Sequence, residues 1–195
     1  MFNLSHYENW SWGYDAQLDH FSITVYTEDG TKYKGNTLYG SRVLSLDPMV
    51  RDIPFTNEDQ KTFLNFLDSL SDVVENVQER TMIALNATAL KHFHKKLKLN
   101  DYSFQQIKQR RAPEIGDIVV VATSFPGMGG KSQEGNMLVV DVDNDSCYGI
   151  LISSTTLIID AEHEMRTGSC VHLSNDRTIS VSALNTSLIK TLNIA

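Results

Sequence analysis

Cysteine is scarce in this 195-residue chain, at two positions, and proline nearly so, at four. Two cysteines cannot build the dense disulfide framework of a small secreted module. Cys147 and Cys170 each lie in an apolar, strand-like stretch, and both are read as buried thiols that pack as small hydrophobes. Long apolar runs are also missing, since none approaches the ~18–20 residues that span a bilayer. Met1–Trp12 has neither the basic start nor the apolar centre of a secretory signal. A cytoplasmic protein with no membrane association is expected. Low Gly (11) and Pro (4) beside 41% hydrophobic residues exclude a disordered chain. The length suits one large domain or two small ones.

Metal and cofactor motifs are absent as well. The histidines, His6, His20, His92, His94, His163 and His172, match no zinc or iron spacing. His92 and His94, two apart, would lie about 200° apart around a helix and share no ligand face. Gly127–Ser132 superficially suggests a phosphate loop. Phe125 stands where its first Gly belongs, however, and a strand rather than a helix follows. No metal and no cofactor are expected.

What is present is an uneven distribution of charge. The net charge is −7, yet residues 91–111 hold seven cations, Lys91, Lys95, Lys96, Lys98, Lys108, Arg110 and Arg111, against one acid, Asp101. One reading is a solvated face whose Lys stems cover apolar surface. The other is a site for nucleic acid or an acidic partner, with Phe93, His94, Tyr102 and Phe104 available for stacking.

The chain order alternates between two patterns. Met1–Asp19 is aromatic without a clean period and reads as a cap on the core or an exposed arm. Phe21–Tyr26 alternates as a half-buried strand, Asp29-Gly30 marks a hairpin turn, and Thr31–Thr37 returns as a second strand. Thr56 with Glu58 and Asp59 predicts a helix start. Phe63, Phe66, Leu67 and Leu70 carry that helix, and Met82–Leu99 a further one. Tyr102–Lys108 is a candidate for a short last helix. After Pro113 short β-branched runs take over: 118–121, 137–142, 148–152, 157–159, 169–173 and 178–181, with 182–191 as a closing helix. The expectation is an α+β chain: residues 1–111, an N-terminal β-hairpin and helical region, then residues 112–195, a small β-barrel.

From Pro113 onward the order of elements resembles the PemK/MazF family of toxin ribonucleases. The residues concerned are Gly116-Asp117-Ile118-Val119, the Gly-rich loop 126–135, Met137–Val140, and the strand end Leu151–Thr156. The late segment from Cys170-Val171-His172-Leu173 through Leu188 also fits. The resemblance implies an SH3-like barrel that binds and cleaves single-stranded RNA as a metal-independent endoribonuclease of a toxin–antitoxin pair. Thr155 matches the family's catalytic Thr. Gly135-Asn136 stand where the family has Arg-Pro, so Lys131 is the nearest cation, with Arg110, Arg111 or Arg166 as substitutes brought in by folding. An Arg stabilises the phosphoryl charge as a planar fork, Lys as a point charge. Thr155 and Lys131 are then the catalytic candidates, and Lys95, Lys96, Lys98, Lys108, Arg110 and Arg111 the RNA-binding ones. The partners would be single-stranded RNA or a protein: an antitoxin, or a second copy in a homodimer. The alternative is a catalytically inactive barrel of phage or plasmid accessory type, acting as an interaction or regulatory protein. A third reading is a DNA-binding regulator using residues 82–111.

Overall fold

A computed structural model describes residues 9–26, 29–45, 52–107, 111–124, 132–152 and 156–180. The chain divides into two compact units, Met1–Leu97 and Lys98–Ala195. It is a mixed α+β protein with antiparallel sheets and, among the described residues, two α-helices.

The first unit carries four strands: β1 (Ser11–Asp15), β2 (His20–Tyr26), β3 (Lys32–Asn36) and β4 (Ile53–Pro54), in sheet order β3-β2-β1-β4. The expected hairpin is β2–β3, with Gly30 at φ 78° in its turn, a conformation that glycine adopts without Cβ strain. Strand β2 is buried on both faces rather than one, with Ser22 and Thr24 as enclosed as Phe21, Ile23 and Val25. Its other neighbour, β1, brings Trp12 opposite Ile23. Of the early aromatics, Trp10 and Trp12 are therefore core: both are buried, and their rings pack on Phe55, Phe63 and Phe93, while Tyr14 is half-buried and Phe2 and Tyr7 lie outside the described residues.

Helix α1 (Asn57–Ser69) starts at Thr56, whose side chain accepts from the Asp59 N–H while Asp59 accepts from the Thr56 N–H, a reciprocal cap. Asp59, Phe63, Phe66 and the C-cap Leu70 recur at helical spacing and are all buried. Helix α2 (Val77–Phe93) starts at Asn76, whose Oδ1 accepts from the N–H groups of Gln78 and Glu79. Residues 83–90 are buried all round, as befits a helix enclosed on several sides. It ends six residues earlier than its apolar pattern predicts. His94 turns extended and pairs with Leu44, and Ser45 N–H donates to Phe93 O. Pairing with that neighbouring segment outcompetes further helical turns.

The second unit holds β5 (Ile118–Ser124), β6 (Ser132–Val142), β7 (Ser146–Leu151), β8 (Leu157–Ile158), β9 (Glu164–Met165), β10 (Cys170–Ser174) and β11 (Ile179–Ser180). Five of them form a sheet in the order β10-β7-β6-β5-β11, and β8 pairs with β9 separately. The expected SH3-like barrel is not closed among the described residues, because β10 and β11 remain the two sheet edges. Its core is aliphatic: Val119, Val121, Met137, Val139, Leu151, Leu157, Val171 and Leu173, with Cys147 and Phe104. A bulge between Val139 and Asp141 shifts the β6–β7 register. Gly149 is obligatory in this packing, since a Cβ there would lie 2.5 Å from Met137 Cγ and 2.7 Å from Leu138 O. The segment 98–107 forms a 3₁₀ turn at Asp101–Ser103 rather than the short helix expected over 102–108. Phe104 then bridges to Thr123, and its buried ring joins the sheet's core. The proposed closing helix at 182–191 lies outside the described residues.

Candidate functional site

In the first unit a cleft of about 200 Å³ opens between the start of α1 and the end of α2, lined by Thr56, Glu58, Asp59, Thr62, Thr88, Lys91 and His92. The two helices place these groups for separate reasons. Thr56 and Asp59 are there because they cap α1. Lys91 and His92 sit in the last turn of α2, where positive charge complements the exposed carbonyls.

At the back of the cleft is Asp59, 3% exposed. Its Oδ2 accepts from Thr56 N (2.8 Å), Thr56 Oγ1 (2.9 Å) and, at 3.4 Å, Trp12 Nε1. Its Oδ1 lies 2.6 Å from His92 Nδ1. Burial pushes this carboxyl up, but its contacts with His92 and Thr56 outweigh burial and hold it below the usual carboxylate range. His92 in turn stacks on Phe93, ring centroids 4.1 Å apart. One carboxylate thus joins β1, the start of α1 and the end of α2. The sequence marks Asp59 only as a first-turn acid. Its partner His92 is 33 positions away, a distance no local pattern spans.

The cleft presents Glu58 and Lys91, charges of both signs, beside threonine hydroxyls. The Thr88 hydroxyl is turned to its own helix, donating to Ala84 O. Among the described residues no group of three or more His, Cys, Asp and Glu could hold a metal ion. A small apolar recess of about 30 Å³ lies elsewhere in the unit, lined by Ile23, Val25, Gly35, Leu85 and Met82.

The site residues read from sequence are distributed differently. Lys131 and Thr155, the catalytic candidates, lie outside the described residues, as do Lys108 and Arg110. Lys95 follows α2 in extended chain: its N–H donates to Val43 O, and its ammonium to Ser41 O. Lys96 is exposed. Lys98, also exposed, and Arg111 belong to the second unit. Arg111 is paired with Glu114 at 2.6 Å, and Arg166, a suggested substitute cation, is engaged by Glu164. The run of cations therefore does not ride on one helix face. The histidines that share no ligand face go separate ways, His92 to Asp59 and His94 Nδ1 to Leu90 O. Cys147 and Cys170 are free, and burial pushes both thiols up to about 12. Among the described residues no helix is long and apolar enough to cross a membrane.

Comparison with known proteins points away from nucleic-acid cleavage. Residues 3–95 match the family model described as Cell-division protein ZapC, N-terminal. Over 190 residues the chain is 23% identical to Cell division protein ZapC of Tolumonas auensis (strain DSM 9187 / NBRC 110442 / TA 4), a span covering 94% of this chain and 96% of that protein. These matches overturn the resemblance to PemK/MazF toxins, and with it the reading as an RNA-cleaving endoribonuclease, a hydrolase of a toxin–antitoxin pair. They lend no specific support to the phage or plasmid accessory reading, nor to an antitoxin as partner. The features that resembled PemK/MazF have a local physical source. Gly116, at φ 91°, and Asp117, which accepts from the Glu114 N–H, form an ordinary turn into a strand. Any compact antiparallel sheet with short connections can present such a sequence. The resemblance rested on these generic turns and short strands, whereas the overturning match runs across both units.

Proposed function

We propose that this chain is a ZapC-type cell-division protein that works in the cytoplasm by binding another protein. The observation that carries the proposal is the collinear match to the Tolumonas auensis protein over nearly the whole of both chains. The match of residues 3–95 to the ZapC N-terminal model agrees with it. A piece of the surface suits contact with a partner: Lys91 at the cleft, with exposed Lys95 and Lys96 beyond the helix end. Outside 91–111 the chain carries ten cations against twenty-three acids, so this lysine-rich end is its natural meeting place for an acidic protein surface.

Complementation tests the reading. The full chain, fused to a fluorescent protein, is produced in Tolumonas auensis lacking its own ZapC. Fluorescence enriched at division sites and recovery of the parental cell-length distribution are expected. Diffuse fluorescence with no change in cell length would overturn the assignment. The charge-reversed variant Lys91→Glu/Lys95→Glu/Lys96→Glu should fold and lose the enrichment; enrichment that survives it would move the partner surface elsewhere.

A further inference from the structure

Among the described residues, strands β3 and β10 each lie at the edge of a sheet, and an open edge invites another strand. They are defended differently. The outer strand β3 exposes Lys32 and Lys34, and self-pairing would bring such lysines together. Strand β10, Cys-Val-His-Leu-Ser, has no Lys, Arg, Asp, Glu or Pro. Outward backbone groups of His172 and Ser174 are taken instead by two residues from the chain entering the unit. Asn100 N–H donates to His172 O at 2.8 Å, and Asn100 Oδ1 accepts from His172 N–H at 3.2 Å. One asparagine thereby supplies both contacts that a residue of a neighbouring strand would make. Asp101 continues the imitation: its Oδ1 accepts from Ser174 N–H at 2.8 Å, and its Oδ2 takes the Ser174 hydroxyl. The mimicry stops there, because the chain turns into the 3₁₀ element and buries Phe104 in the core.

We propose that Asn100 and Asp101 form an intramolecular cap on β10, and that an uncapped β10 edge pairs antiparallel with β10 of a second copy of the chain. The strand is self-complementary for that occupant. Pairing centred on His172 sets Val171 beside Leu173 of the other copy, and Cys170 beside Ser174. Val171 and Leu173 both belong to the core face, so the apolar surface would continue across the junction. No Lys, Arg, Asp or Glu meets its like in this pairing, unlike at β3, and at its centre His172 faces His172 of the other copy.

Sedimentation velocity of the full chain over a concentration series, parent against Asn100→Gly/Asp101→Ala, tests this. The association constant should rise about tenfold or more in the variant. Adding Ser174→Pro should abolish the rise, because Ser174 already sits at φ −61° and proline would remove the outward N–H together with a hydroxyl whose partner, Asp101, is already gone in this variant. If circular dichroism shows the double variant unfolded, Asn100→Ala alone is measured; it keeps its own N–H and should give a smaller rise, roughly threefold. A folded uncapped variant, double or single, with an unchanged association constant overturns the proposal. So does a rise that persists with Ser174→Pro, which would place the contact elsewhere.

Discussion

The two units solve the same problem, covering an antiparallel sheet, with different materials. In the first, rings fill the space between helices and sheet: Trp10, Trp12, Phe21, Phe55, Phe63, Phe66 and Phe93 are all buried. In the second, aliphatic side chains of crossing strands interlock, and Phe104 joins them from the entering segment. Ring packing tolerates irregular spacing but concentrates stabilisation in a few large side chains. Interlocked strands spread it over many small contacts and leave little slack at close approaches such as Gly149.

The contrast breaks most readily at a ring. Phe66→Ala should cost the first unit about 3–5 kcal/mol, read as a lower urea midpoint of tryptophan fluorescence, since both tryptophans lie in that unit. An unshifted midpoint would mean that the ring cluster does not hold the unit together. Gly149→Ala adds one methyl against Met137 and the Leu138 carbonyl, and should cost the second unit about 1–3 kcal/mol. Amide resonances of β7 and β10 in a denaturant series would report it; a neutral effect would show more slack than these distances imply. Thr56→Ala removes the α1 cap and should cost about 1 kcal/mol in the fluorescence melt. The smallest effect is acid sensitivity. Asp59 titrates lower folded than unfolded, so its stabilisation is complete above the ordinary carboxylate value of about 3.9 and is lost as pH falls through its lower folded value. Asp19 behaves alike, held at about 2 first by the Tyr14 hydroxyl and then by Ser41 N–H. Asp59→Asn should therefore flatten the acid limb of the first unit's stability profile, and an unchanged limb would remove Asp59 from that account.

What was legible in the sequence was local. The Asp29-Gly30 turn, the Thr56 cap and the β-branched runs of the second unit each announce themselves within a few residues. Strand β1 was hidden because Gly13 and Asp15, residue types depleted in strands, sit beside the alternating Trp12 and Tyr14, and Trp12 acquires a strand position only through β2. The two-residue β9 is too short to carry a period. The end of α2 is set by Leu44, fifty positions earlier. The site suffered the same limit. Charge concentration marks residues 91–111, and Lys91 does line the cleft. The carboxylate behind it is defined by Trp12, Thr56 and His92, which meet only in three dimensions.

That carboxylate also has a meaning in time. Asp59 finds its partners on segments 47 and 33 positions away as well as beside it. Closing such loops is entropically costly and comes late along a folding route. Until strand and both helices have met, a collapsed first unit would enclose a carboxylate held only by its own helix cap at Thr56, an incompletely paired charge that favours reopening. The junction therefore acts as a proofreading step, penalising compact but misassembled chains and rewarding the arrangement in which all three elements arrive together.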